Sequence, residues 1–433
     1  MKLTVFQADK GDCLLLTSQE GANVLVDGGL GDSYRRHAAP TLGRLAQAGQ
    51  ALDLVYLSHI DQDHIAGVLQ LMDDLLAWRV YDFQVARGNT HFPKPADPRP
   101  PQVRNLWHNA FKDQVQDNGG AIEDFLVANA RLLNLHPDVI GAELARWGQA
   151  SQELAASVKE GLALSTRVGP ELLNIPVNAP ASGGLLFLED TPVVTQVGSL
   201  RLSVIGPTRQ ALEKLRAEWN DWLAANQQAV AQVRAEAEQD ARQFSLMDEG
   251  QLALSSLLAN AHALGDRNLV TTPNLASLML LVEEAGRRLL LTGDGHGDDV
   301  LEGLRRMGAL DSSGSIHVDL LKVQHHGSEN NLDEQFCRRV TADHYLFCAN
   351  GAHENPDLNA LQAILDARLG PNPAGPPQPF KFWFNSSSRV VQVESRRLHM
   401  LRVEDFVRTA ARASRGRLRR RFLTQGSKYV IDA

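Results

Sequence analysis

The sequence predicts an α/β fold in which strands form a sandwich, helices cover it, and a largely helical insertion interrupts it. Three observations support this fold class: short apolar runs bounded by glycine, longer stretches with apolar residues at helical spacing, and three apolar strands that each end in Asp or His. With 433 residues, of which 43% are hydrophobic and 22% charged, the chain has the composition of a globular protein with a large core.

Residues 1–90 are predicted to form the first half of the sandwich. Apolar runs at Leu14–Leu16 and Val24–Val26 are short enough for buried strands, and glycines separate them. A helix is expected near Pro40–Ala48, where the apolar residues share one face. Leu54–Leu57 reads as another buried strand, and it leads directly into the most informative motif of the chain.

The rest of the chain divides into three predicted segments by composition. A proline-rich path near residue 93 opens a mostly helical insertion, because closely spaced prolines exclude regular structure there. Strand character returns later, in apolar runs such as Val318–Val323. The predicted segments are the insertion 91–195, the second half of the sandwich 196–395 with a helical excursion 209–265, and a basic C-terminal tail 396–433.

Charge and cysteine content limit the classes of function. A formal net charge of -8 argues against a protein that coats nucleic acid or anionic membrane through its overall field. Three separated cysteines, Cys13, Cys337 and Cys348, favour a reducing compartment without a disulfide framework. The chain lacks a run of about 18 apolar residues and its first residues do not resemble a signal peptide, so we expect a cytoplasmic protein without membrane contact.

Arginines concentrate near the C-terminus of this acidic chain. A solvated helix or tail explains such a run, and so does a contact with phosphate or another anion, because the guanidinium group matches phosphate geometry. Both interpretations stay open at this point. The basic residues are Arg408, Arg412, Arg415, Arg417, Arg419, Arg420, Arg421 and Lys428.

The central motif runs from Ser58 to His64 and has the form H-x-D-x-D-H. It begins where an apolar strand ends and stops where a helix is predicted to begin. Two carboxylates and two imidazoles crowded onto one turn favour a bound cation, because helix capping needs only one Asp. Alternation would aim His59 and Asp61 in one direction and leave Asp63 and His64 for a second ion.

Two later segments end in the same kind of side chain. Thr292-Gly293-Asp294 follows an apolar strand, and beside a metal cluster Asp294 becomes the natural bridging carboxylate. His325 and His326 also follow an apolar strand, and adjacent residues on an irregular turn point in different directions. One can therefore bind metal while the other faces substrate. Three strands that end in such residues predict a site along one edge of a sandwich.

In this order, H-x-D-x-D-H, T-G-D and H-H-G-S resemble the motifs of the metallo-β-lactamase superfamily, most closely the hydrolase domain of competence DNA-uptake channel proteins and choline-phosphate esterases. Further matching segments are Gly11-Asp12, Val26-Asp27-Gly28-Gly29, Asn274-Leu275-Ala276-Ser277 and Ala349-Asn350-Gly351. The resemblance covers about residues 1–90 and 195–370. It implies a four-layer αββα metallo-β-lactamase sandwich that binds two divalent metal ions, zinc or manganese.

The resemblance also implies roles for single residues. One metal would be held by His59 and Asp61, and the other by Asp63, His64 and one of the paired histidines. Asp294 would bridge the two ions. We expect His326 to be the ligand and His325 the substrate contact, with Asp27 orienting a ligand and Asp63 positioning water.

One segment departs from the family pattern, which places a His before the proline near the substrate. Here Asn355 occupies that place, so His353 or Asn355 would supply the contact. The predicted activity is hydrolysis of a phosphodiester, with nucleic acid as one candidate substrate. Hydrolysis of a carboxylic ester, thioester or lactam is an alternative, although Asp61 stands where those enzymes carry a His. A metal-dependent sensor without turnover is the other alternative.

Overall fold

The computed structural model describes residues 1–109, 160, 163–165, 167–170, 172–190, 192–213 and 276–432. Within these ranges, fourteen strands form two sheets. The predicted helical insertion 91–195 and the excursion 209–265 lie largely outside the described residues.

The first sheet has six strands in the order β14-β1-β2-β3-β4-β5. Strands β3, β4 and β5 run parallel, whereas β14, β1 and β2 pair antiparallel with their neighbours. The strands are Lys2–Phe6 (β1), Leu14–Thr17 (β2), Asn23–Val26 (β3), Leu54–Tyr56 (β4), Leu106–Trp107 (β5) and Lys428–Asp432 (β14).

The second sheet has eight strands in the order β13-β12-β11-β10-β9-β8-β7-β6. Its strands from β9 to β13 are parallel, and those from β6 to β9 are antiparallel. The strands are Val194–Val197 (β6), Leu200–Gly206 (β7), Met279–Glu284 (β8), Arg287–Leu291 (β9), Ile316–Lys322 (β10), Val340–Phe347 (β11), Phe380–Phe384 (β12) and Leu418–Phe422 (β13).

Helices cover both sheets. A short helical turn at Gly31–Ser33 and a π-helical turn at Tyr34–Ala38 lead into the first long helix. Within the described ranges, the six longer helices are Ala39–Gln47 (α1), Gln62–Ala86 (α2), Gly297–Arg306 (α3), Glu334–Arg339 (α4), Leu358–Leu369 (α5) and Glu394–Ala413 (α6). Among the described residues, none of these helices is both long and apolar enough to cross a bilayer.

Alternating side chains divide the core into layers. On β2, Leu14 and Leu16 join the apolar cluster between the two sheets, whereas Leu15 joins the cluster beneath the helices of the first sheet. On β8, Leu280 faces the other sheet and Leu281 faces the helices of the second. This period of two buries both faces of each sheet. The predicted four-layer αββα sandwich is confirmed.

The segment 396–433, expected as a basic tail, is instead part of the sandwich. It contributes most of α6 and then β13 and β14, which complete the two sheets at their edges. Its apolar residues are buried: Leu418 on β13, and Tyr429 and Ile431 on β14. Arg419, Arg420 and Arg421 are exposed between these buried positions, so the segment has the composition of a solvated tail although it forms strands.

Candidate metal centre

Three chain segments carry the site, each directly after a buried strand. β4 leads into the turn that holds His59, and Asp61 then caps the N-terminus of α2 in extended conformation. β9 leads to Asp294, and β10 leads to His325 and His326. Because β9 and β10 are parallel neighbours, their carboxyl ends meet at one edge of the second sheet, opposite the turn after β4.

All four histidines direct Nε2 towards one oxygen of Asp294. Their convergence places the centre of the site on that oxygen, and the bridging role expected of Asp294 stays a prediction. The distances to Asp294 Oδ2 are 3.4 Å from His326, 3.6 Å from His64, 3.7 Å from His59 and 3.8 Å from His325.

These residues fit divalent cations. The Nε2 atoms of His59, His64 and His326 are buried without a hydrogen-bond partner, a costly arrangement unless another group binds them. Imidazole nitrogens and carboxylate oxygens are the ordinary protein ligands of zinc, and manganese accepts both as well. Three inward-facing nitrogens around a carboxylate therefore offer the ligand atoms that a divalent cation needs.

The remaining carboxylates lie beside different histidines of this centre. Asp61 Oδ2 is 3.8 Å from His59 Nε2, and Asp63 Oδ2 is 3.3 Å from His326 Nε2. His64 lies close to His59, with ring centroids 3.9 Å apart, so the expected division of the ligands between two metal ions stays a prediction.

Asp12 also lies close to two of the histidines and shares a possible ligand cluster with His64 and His326. However, it approaches the Nδ1 atoms of those rings, at 4.0 Å and 3.4 Å. His326 Nδ1 is 2.7 Å from the carbonyl oxygen of Cys348, so it carries the proton of the neutral ring. Asp12 is thus a positioning group that does not bind metal in this arrangement.

Asp27 holds His64 from behind, as predicted. Its Oδ2 lies 2.9 Å from His64 Nδ1, and its two oxygens accept bonds from the Ser58 amide and hydroxyl at 2.7 and 2.8 Å. This arrangement fixes the ring with Nε2 towards Asp294. The approach of α2 needs glycine, because a Cβ on Gly28 would lie 2.3 Å from the Val68 nitrogen.

Sequence reasoning missed Lys322 and Asn331, which also order the site. Lys322 is buried at the end of β10, with Nζ 3.4 Å from Asp294 Oδ1. Asn331 Oδ1 accepts a hydrogen bond from His325 Nδ1 at 2.7 Å, and Asn331 Nδ2 donates to the Asp294 carbonyl oxygen at 2.9 Å. A lysine that ends an otherwise apolar strand was the available signal for Lys322, whereas Asn331 lies in an unremarkable polar turn.

Burial and charge act against each other in the site. Burial alone would lower the pKa of His326, but Asp294, Asp12 and Asp63 raise it to about 9. Burial would raise the pKa of Asp63, but His326 and His64 hold it well below its usual range. The pKa of His59 is lowered, chiefly by burial and then by His64. The carboxylates are thus ionised at neutral pH and ready to bind a cation.

His353 and Asn355 lie in the loop after β11, and neither is among the side chains whose atoms meet at Asp294 Oδ2. His353 is exposed, in a left-handed conformation, and its pKa is lowered by partial burial and by Lys10. Asn355 is buried, and its backbone closes the turn with Gly351 and Ala352. Their predicted contact with substrate stays a prediction.

Residues 7–75 match the model of a family described as the metallo-beta-lactamase superfamily. The matched segment contains Asp27 and the whole His59–His64 turn. Among solved structures, the chain is similar to Zn(2+)-bound PqqB from Methylobacterium extorquens, with 10% identity, a TM-score of 0.32 and full coverage of both chains. No curated protein matches the chain. The resemblance to competence DNA-uptake proteins stays a prediction.

Proposed function

We propose that this chain, which matches the model of the metallo-beta-lactamase superfamily over residues 7–75, is a hydrolase of that superfamily and uses two divalent cations, zinc or manganese, to cleave a phosphodiester. The observation that supports this most strongly is the convergence of four imidazole Nε2 atoms on Asp294 Oδ2. One cation would be held by His59, Asp61 and Asp294. The other would be held by Asp294 together with Asp63, His64 and His326.

When bound, the two cations would activate water and neutralise charge on the substrate. The chain supplies the remaining functions. Asp63 has a side chain 14% exposed, so one of its oxygens can accept a hydrogen bond from water at the mouth of the site and orient it. Buried neighbouring residues hold the other side chains of the site in place, so these side chains need to move little during the reaction.

His325 is suited to contact the substrate. Its side chain is 25% exposed, compared with 7% for His326, and its Nε2 faces Asp294. Asn331 Oδ1 accepts the Nδ1 proton of the ring, so Nε2 carries a proton only in the imidazolium form. In that form His325 would stabilise a developing oxyanion or protonate the leaving group.

A basic surface on the second sheet supports a polyanionic substrate such as nucleic acid. In the parallel pair β12–β13, Lys381 lies opposite Arg419, and Arg421 lies two residues further along. None of the three has an ion-pair partner among the described residues. Like charges placed opposite one another destabilise a sheet, and a bound phosphate backbone would offset that cost. Protection of the edge strand β13 against pairing is the competing explanation.

The decisive experiment measures hydrolysis of a chromogenic phosphodiester, single-stranded DNA and a thioester, each with zinc or manganese. Asp63→Ala and Asp294→Ala should lose activity on the phosphodiester by about 1000-fold or more and retain their fold by circular dichroism. Asp298→Ala is the matched control, because that exposed carboxylate lies four residues from Asp294 at the start of α3 and should keep full activity.

The other outcomes separate the alternatives. Turnover of the thioester with an inert phosphodiester would assign the chain to carbon-centred hydrolysis. Binding of two cations without turnover of any ester would favour a sensor. Full phosphodiesterase activity in Asp63→Ala or Asp294→Ala would remove the assignment of this site.

A further inference from the structure

The two oxygens of Asp294 face different surroundings. Oδ2 is surrounded by the four imidazole Nε2 atoms at 3.4 to 3.8 Å. Oδ1 faces the Lys322 ammonium at 3.4 Å. A carboxylate between two cations can bind them through one oxygen or through both. The neighbours of Oδ1 therefore decide which of these is available.

Lys322 is well placed to control Oδ1, because its position is fixed by three acceptors. Nζ lies 2.5 Å from Asp12 Oδ2 and 2.9 Å from the carbonyl oxygen of Gly293, in addition to Asp294. An ammonium group has three protons to donate, so this set uses all of them. The lysine side chain is 1% exposed, and water cannot replace these partners.

Asp12 balances the charge of Lys322. It is buried in the loop between β1 and β2 of the first sheet, so the pair joins the two halves of the sandwich behind the metal centre. A buried lysine without a carboxylate would carry a large desolvation cost. With Asp12 in place, the Lys322–Asp12 pair adds no net charge to the site. The pair therefore acts on Asp294 by fixing the position of its carboxylate.

We propose that Lys322, held by Asp12, is a positioning residue. By contacting Asp294 Oδ1, it would leave Oδ2 as the one oxygen available to bridge the two cations. This inference rests on the metal binding proposed above. It assigns a role in the metal centre to a residue that touches neither the substrate nor the cations. The rival explanation is that the pair only joins the sheets, in which case Asp294 would bind metal in the same way without it.

The test is the paired variant Lys322→Met/Asp12→Asn, which removes both charges and leaves the net charge of the site unchanged. Replacing a buried ion pair with neutral groups of similar size is often tolerated, so the variant should fold. Lys322→Met alone would leave Asp12 buried and unpaired, and it is expected to lower the melting temperature. Each protein is loaded with cobalt(II), which reports on its own ligands through absorption and electron paramagnetic resonance.

We expect the paired variant to bind the second cobalt ion 10- to 100-fold more weakly in a chelator competition. The magnetic coupling between the two ions should also change, because coupling depends on the atoms that bridge them. The control is Arg287→Met/Asp319→Asn, which removes an ion pair between the same strands, β9 and β10, away from the site. It should leave affinity and spectrum unchanged.

A paired variant with the coupling of the parent and a dissociation constant within twofold of it would overturn the role of Lys322 and leave the proposed function intact. A parent protein that binds no cobalt would instead contradict the proposed function. The two failures are therefore distinguishable.

Discussion

The two halves of the sandwich contribute to the metal centre in different ways. The first half supplies His59, Asp61, Asp63 and His64 from a single turn, which the capped N-terminus of α2 holds. The second half supplies Asp294 from one strand end and His325 and His326 from another, both histidines in left-handed conformation. Local geometry thus brings the first set together, with Asp27 orienting His64, whereas the second set is assembled from two separate strand ends. We expect the second half to be the more sensitive to substitution.

The largest effect is expected for Asp294→Asn in the second half. Because Oδ2 is shared by all four imidazoles, loss of its charge should remove metal from both positions. Asp63→Asn in the first half should affect only the position beside His326. Elemental analysis after gel filtration should give fewer than one ion per chain for Asp294→Asn and about one for Asp63→Asn. Equal losses in the two variants would contradict this division.

A smaller effect is expected for Asp27→Asn, which tests how firmly the first half holds its ligands. The change leaves a hydrogen-bond acceptor near His64 Nδ1 but removes the carboxylate charge that orients the ring. Metal affinity should fall by about 10- to 100-fold. Chelator competition measures this change, and Asp53→Asn, a carboxylate between β3 and β4 away from the site, is its control. An unchanged affinity would mean that the turn alone orients His64.

The difference between the halves also explains what the sequence could predict. His59 to His64 are contiguous, so their convergence was readable from one motif. Asp294 and His326 were expected to meet because each follows an apolar strand, a pattern that parallel sheets bring to one edge, and the structure brings the two side chains within 3.4 Å of each other. Lys322 and Asn331 were missed, because their importance depends on partners 28 and 37 residues away. No local pattern encodes such pairings.

Pairings between residues distant in sequence also limited what could be predicted about the fold. Layers and strand character followed from apolar periodicity, as on β2 and β8. The edge strands β13 and β14 were read as a tail, since their partners β12 and β1 lie far away in sequence. A short strand at the edge of a sheet pairs with a neighbour on one side only and tolerates charged side chains. Its composition therefore resembles that of a loop.

A pH series would test whether His326, in the second half of the sandwich, binds metal. Without metal, the pKa of His326 is about 9, above its ordinary 6.5. Its contribution to stability is then complete below pH 6.5 and is lost as the pH rises through 9. Metal binds the neutral ring, so protons compete with it. The melting temperature gained on adding zinc should therefore increase from pH 6 to pH 9. A gain independent of pH would contradict His326 as a ligand.

The smallest effect is expected at Asp74, on α2 but away from the metal centre. Its Oδ1 accepts a bond from Gln70 at 2.7 Å, whereas Oδ2 is buried without a hydrogen-bond partner. Burial raises the pKa of Asp74 to about 7 from 3.8. The stability that it contributes is therefore complete below pH 3.8 and is lost as the pH rises through 7. Asp74→Asn should stabilise the fold at pH 8, because the variant removes a buried carboxylate that is ionised at that pH.

Denaturant unfolding of Asp74→Asn at pH 5 and pH 8 measures this effect. The gain should be smaller at pH 5, because the loss of stability begins above pH 3.8 and is complete only above about pH 7. Metal affinity should stay that of the parent, because the turn before α2, rather than the stability of the whole helix, holds His59 and His64. Tighter metal binding by Asp74→Asn would mean that the stability of α2, and not only local geometry, holds the metal ligands of the first half. The two halves would then differ only in degree.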